Sequence, residues 1–181
     1  VGRELPATGR RLRMPLLLTL WLGCGPADGP STESAPAVPP AIEMGTGEWD
    51  WEPLEDGQEI DVIQGPQGGF HLLGSVRVAG IAAGTADDLG DPDNPTTRFW
   101  VMHEGVDLAP SSVFIQGLDA SPSDAEPFSH QMVGRFVIMD IAADDELDGV
   151  EIAFGVSVED VDGVRVEAEM TLTAVPHPLN L

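Results

Sequence analysis

Beyond residue 47 the dominant period of the apolar residues is two, and this constrains the fold more than any other feature of the chain. Successive side chains of a strand point to opposite faces, whereas a helix repeats every 3.6 residues. Val164, Val166, Ala168, Met170 and Leu172 alternate with Arg165, Glu167, Glu169, Thr171 and Thr173, so one face of that strand belongs to a core and the other to water. No window of a dozen residues carries a helical stripe. The expected class is all-β.

Seven strands are expected, at about 58–64, 70–80, 97–103, 112–117, 132–142, 150–159 and 163–174. In the second, Phe70, Leu72, Gly74, Val76 and Val78 share the inward face, with His71, Leu73, Ser75 and Arg77 opposite. The sixth and seventh are joined through Asp162-Gly163. That pair between alternating apolar runs marks a hairpin, because both residues tolerate positive φ. The fifth, through Arg135-Phe136-Val137-Ile138-Met139, is apolar on both faces and reads as a central strand. Trp49 and Trp51 alternate with acidic residues and read as indoles laid on the core. Seven short strands between turn signals predict an immunoglobulin-like antiparallel β-sandwich over residues 48–181, with Trp100 in its core. A β-barrel or jelly roll is the alternative arrangement of the same strands.

The N-terminal part is of another kind. Arg3, Arg10, Arg11 and Arg13 precede the apolar run Leu16-Leu17-Leu18-Thr19-Leu20-Trp21-Leu22, which is too short to cross a bilayer and has the layout of an export signal. Its end, Leu20-Trp21-Leu22-Gly23-Cys24, resembles the lipobox of bacterial lipoproteins. The resemblance implies a signal peptide over 1–23 and acyl chains on Cys24, and with Gly25 following, delivery to the outer membrane. Residues 24–47, with prolines at 26, 30, 36, 39 and 40, read as a flexible tether.

From Cys24 onward four arginines stand against 30 acidic residues, a formal charge of −26, and the chain has no lysine. Such a field repels phosphate backbones and excludes nucleic acid as a partner. Without lysine, phosphate loops of the G-x-x-x-x-G-K type are excluded too. There is no G-x-S-x-G motif. His103-Glu104-Gly105-Val106-Asp107 begins like the zinc-protease H-E-x-x-H but ends on Asp107.

Five groups of residues remain as candidates. Gly65-Pro66-Gln67-Gly68-Gly69 is a glycine-rich turn leading into the second strand, where a ligand can approach the backbone closely, with Gln67 and His71 as its polar groups. Asp87, Asp88, Asp91 and Asp93 lie with Asn94 inside eight residues and offer oxygen ligands for Ca²⁺, without the order of an EF-hand. A second acidic cluster spans 144–148. The four histidines, His71, His103, His130 and His177, lack the short spacing of a metal-ligand motif, and only adjacent pairing of their strands would bring His71 and His103 together for a transition metal. Trp49, Trp51 and Trp100 would serve a carbohydrate-binding face.

Gly65-Pro66-Gln67-Gly68-Gly69-Phe70-His71, the Leu118 region, Val133-Gly134-Arg135 and the ending Val175-Pro176-His177-Pro178-Leu179-Asn180-Leu181 together resemble a group of uncharacterised outer-membrane lipoproteins of myxobacterial type. The likeness covers most of residues 45–181 and implies a location and a shared domain, with no established activity. The function expected is therefore a non-enzymatic binding or structural module, anchored at Cys24 and facing an envelope protein or a glycan in the periplasm or at the surface. The alternatives are a periplasmic metal-binding protein or metal-dependent enzyme, and a carbohydrate-binding sandwich.

Overall fold

The computed structural model describes residues 38–180. These form eleven strands and one short 3₁₀ turn, Asp144–Leu147. The strands are β1 (Ala41–Thr46), β2 (Glu52–Pro53), β3 (Glu59–Gln64), β4 (Phe70–Ala79), β5 (Thr96–His103), β6 (Val106–Asp107), β7 (Val113–Ile115), β8 (Asp119–Ala120), β9 (His130–Met139), β10 (Val150–Glu159) and β11 (Arg165–Pro176). All seven expected strands are present, displaced by no more than three residues at most ends. No helix among the described residues is long and apolar enough to cross a membrane.

Hydrogen bonding joins the strands into one open, mixed sheet. One arm is built on β4, which takes β9 along one edge and shares its other edge between β1, over residues 75–79, and β3, over residues 70–71. The other arm runs β11–β10–β5, with β6 and β7 beyond β5. β3 joins the two, because it also pairs with β11 through Thr173↔Glu59 to Pro176↔Val62. That pairing is parallel, contrary to the wholly antiparallel expectation. About a hundred residues separate these strands, so no local hairpin dictates their direction.

The sheet doubles over so that β4 faces β5 across the core. A Cβ built on Gly74 would lie 2.8 Å from both the Phe99 ring and Val137, so only glycine lets the two arms close here. Phe99 stacks on Phe154 at 5.9 Å and meets Phe114 edge-on at 6.1 Å. Leu72, Val76, Val101, Val137, Val156 and Leu172 are wholly buried around them. The Asp162-Gly163 hairpin forms as read: Gly163 has φ +79°, and the Asp160 carboxylate accepts from the amides of Asp162, Val164 and Ala82.

Four expectations are corrected. Ala41–Thr46, inside the stretch read as tether, is strand β1; Met44 is buried, and the alternation that marks it is short and follows two prolines. Residues 1–37, with the signal peptide, Cys24 and the first part of the tether, lie outside the described residues. Trp100 is not a core residue. Phe99 and Val101 take the inward positions, while Trp100 lies on the outer face over Gly155 and donates from its indole to Glu169 at 2.7 Å. Trp49 is 83% exposed, and Trp51 lies on the outer face of β1 over Gly45, capped by the Arg77 guanidinium 4.0 Å from its ring. Finally, β9 is not central. Beyond the short pairing of β8 with Gln131 and His130, its outer edge carries no strand among the described residues. The two-sided apolar pattern of β9 therefore marks an exposed apolar face, with Phe136 53% and Ile138 62% exposed.

Candidate functional site

The turn between β3 and β4 opens the site. Gly65 donates its amide to the Gly69 carbonyl at 2.7 Å, and Gly68 donates to Gly65 at 2.9 Å. Pro66 presets the first corner, and the left-handed position, φ +89°, falls on Gly68, where a side chain would be strained. The base of the turn is tied down from the end of the chain. The Asn180 amide side chain accepts from the Gln64 amide at 2.8 Å and donates to the Val62 carbonyl at 2.8 Å. The glycine-rich turn is thus held on the frame of β3.

The pairing register then sets the wall. His71 of β4 stands opposite Ile63 of β3 on one side and Ile138 of β9 on the other, and Leu73 stands opposite Phe136. All five project on the outer face, since Phe70, Leu72 and Gly74 point into the core. Between the turn and β9 this face sinks into a cleft of about 510 Å³ lined by Gly65, Pro66, Gln67, Gly69, Phe70, His71, Phe136 and Ile138. Its exposed lining is mostly apolar.

His71 is the one ionisable side chain in this lining. It is 8% exposed, and its ring lies 4.5 Å from that of Phe136, tilted by 47°. It has no hydrogen-bond partner among the described residues, so both ring nitrogens keep their capacity for a ligand. Burial pushes its pKa below the ordinary histidine value, which leaves the imidazole neutral at pH 7, one nitrogen donating and the other accepting. Gln67, exposed at the lip, adds an amide that both donates and accepts.

On the other side of β4 the same face drops into a second, smaller hollow of about 260 Å³. Ile63 and Leu73 form its floor, and Glu48, Glu52, Glu59 and Asp61 stand around it. None of these four carboxylates is in an ion pair with any of the described arginines. The loop that carries Glu48 crosses directly over β9, where Gly134, at φ +68°, leaves room for the Glu48 carbonyl. Gly134 belongs to a bulge in the β4–β9 ladder, and its amide donates to Ser75 Oγ at 3.0 Å.

Of the residues read from the sequence, Gln67 and His71 thus come together in one cleft. The carboxylates of the 87–94 loop do not form a cage. Asp88 accepts from the Gly90 amide, Asp91 accepts from Asp93, and buried Asn94 binds the loop together through the Thr85 amide and the Asp88 carbonyl. The Thr85 hydroxyl and then the Asp93 amide hold the Asp91 carboxyl below its usual range. These are turn-forming uses of Asp and Asn. His103 sits at the far end of β5 beside the Glu151 carbonyl, away from His71. Among the described residues no group of three or more His, Cys, Asp or Glu is arranged to hold a metal. The acidic run at 144–148 is the 3₁₀ turn, where Glu146 accepts from the amides of Ala142 and Ala143. Trp51 and Trp100 lie on different arms, each already stacked or hydrogen-bonded, and form no common sugar platform.

Sequence reasoning missed Phe136 and Ile138. The alternating apolar residues of β9 carry the signal, but in sequence it is the same as that of a strand buried on both faces. It also missed the carboxylates of the hollow, although Glu59 and Asp61 alternate outward from Ile60 and Val62. No protein-family model matches this chain, and no curated protein and no solved structure matches it.

Proposed function

We propose that the chain is an envelope lipoprotein, anchored to the outer membrane through Cys24, whose domain is a non-enzymatic binding module of immunoglobulin-like sandwich type. Its ligand site is the cleft between the Gly65–Gly69 turn and β9. One observation carries the binding reading: Phe136 and Ile138 are half-exposed side by side at the mouth of a cleft whose buried imidazole has no hydrogen-bond partner among the described residues. Large apolar groups gathered around unsatisfied hydrogen-bonding capacity are the composition of a ligand site, while solvent-facing strands ordinarily carry polar residues there. The doubled-over sheet, with its core between β4–β9 and β5–β10, supports the sandwich reading. The run into Gly23-Cys24 supports the anchor.

Nile red tests the binding reading, because a neutral dye is not repelled by the acidic surface. The expected result is a saturable blue-shifted emission that is lost in the Phe136→Ser/Ile138→Ser variant. Emission that persists in that variant overturns the assignment of the cleft. Metabolic labelling with palmitate tests the anchor: label is expected on the wild-type chain and absent from Cys24→Ala, and an unlabelled wild-type chain refutes it.

A further inference from the structure

The cleft and the acidic hollow are neighbours on one face. Leu73, in the floor of the hollow, is the direct cross-strand partner of Phe136, in the wall of the cleft; Ile63 is the partner of His71 in the same way. Adjacent strands lie about 4.8 Å apart, so the two concavities are separated by roughly 10 Å across β3, β4 and β9. Their floors are continuous, and apolar but for the His71 imidazole, through Ile138, His71 and Ile63 in one row and Phe136 and Leu73 in the next. Their rims differ in charge. Among the described residues the cleft carries no carboxylate, whereas the hollow carries Glu48, Glu52, Glu59 and Asp61 without a basic partner.

From this juxtaposition we infer that the outer face of β3–β4–β9 is a docking surface for a basic, amphipathic peptide segment, with an aliphatic or aromatic side chain seated in the cleft and a lysine or arginine in the hollow. The inference rests on the cleft being a ligand site and adds what occupies it. Charge decides among occupants. A second copy of this chain would bring −26 against −26 over the residues from Cys24 onward, so the two would repel. A neutral sugar would leave four carboxylates unmatched. A cation is matched locally and is also steered by the field of the whole domain. The hydrogen-bonding groups at hand suit a peptide backbone: Gln67 at the lip and the His71 imidazole, which has no partner among the described residues. With about 10 Å between the two seats, the anchoring side chain and the base stand two to four residues apart in an extended segment.

The test uses the full chain and two capped octapeptides. One carries Phe and Ile in alternation with Thr and ends in two lysines; the other has glutamates in place of the lysines. Calorimetric titration should show the lysine peptide binding at least about tenfold more tightly than the glutamate peptide, an advantage that shrinks as salt rises from about 20 mM to about 300 mM. Glu52→Gln/Glu59→Gln should weaken the lysine peptide severalfold and leave Nile red emission unchanged; Phe136→Ser/Ile138→Ser should abolish both. Equal affinity for the two peptides, no binding of the lysine peptide, or preference for a neutral oligosaccharide such as cellohexaose overturns the inference. If Nile red still binds in those cases, the cleft reading stands alone. If it does not, that reading fails as well.

Discussion

Ile138 and Ile152 provide a matched pair of perturbations. Both are isoleucines in long antiparallel strands, β9 and β10, but Ile138 is 62% exposed and Ile152 only 1%. Truncating a buried isoleucine to alanine removes its transfer free energy and leaves a cavity, so Ile152→Ala should cost about 2–5 kcal/mol. Full burial of such a side chain is worth roughly 1.5–3 kcal/mol, and Ile138 realises only about a third of it, without a cavity term. Ile138→Ala should therefore cost about 1 kcal/mol or less. Urea unfolding followed by tryptophan fluorescence measures both, and the two variants should share the wild-type slope. A loss of 2 kcal/mol or more on Ile138→Ala, by the same criterion of roughly 2 kcal/mol for core truncation, would show that Ile138 supports the fold. The cleft mouth would then be a packing surface and not a place kept open for a ligand.

The pH dependence of stability follows from His71, whose folded pKa lies below its unfolded value of about 6.5. Below that value the unfolded chain takes up the proton first, so stability should fall as pH drops from about 6.5 toward the folded pKa, and the His71→Gln variant should lose that portion of the slope in urea titrations at stepped pH. Gly155→Ala places a Cβ inside the Trp100 ring, so the indole must leave and its bond to Glu169 must break; a lowered melting temperature and a red-shifted tryptophan emission are expected, and an unchanged spectrum would refute the packing. Replacing Asp162-Gly163 by Val-Val puts a β-branched residue at φ +79° and should lower the melting temperature by several degrees; no change would contradict the β10–β11 register. Calcium added in millimolar excess should leave the melting temperature within about a degree of that in chelator, since the Asp88 and Asp91 carboxylates are engaged in turns and no three acidic groups of the loop are gathered to hold a metal; a rise of several degrees would show a site there.

The all-β class and seven main strands were legible because a half-buried strand writes its alternation directly into the order of residues. β11 and the Asp162-Gly163 hairpin show this best: each position reports one face, and the turn chemistry is local. Sheet order was not legible. The parallel pairing of β3 with β11 joins residues over a hundred apart, and no short-range pattern encodes it. β1 was hidden because Pro39 and Pro40 precede it and only Ile42 and Met44 mark its apolar face. Of the site, the Gly65–Gly69 turn and His71 were legible through glycine and proline chemistry. Phe136 and Ile138 were not, because an apolar residue looks the same in sequence whether it faces a core or an open cleft. Trp100 and Phe99 make the same point in reverse: adjacent aromatics on one strand must point opposite ways, and only the cross-core contact with Gly74 shows that Phe99 is the inner one.

The claim on which the rest depends is that the outer face of β3–β4–β9 is where this chain meets its ligand, and amide NMR of the ¹⁵N-labelled chain titrated with the lysine octapeptide tests it most directly. Shifts are predicted to concentrate at Gly65–His71, at Phe136–Ile138 and around Glu48–Glu52 and Glu59–Asp61, while the β10–β11 arm with Trp100 and Glu169 stays unmoved. Shifts centred on that other arm, or none at saturating peptide, would contradict it.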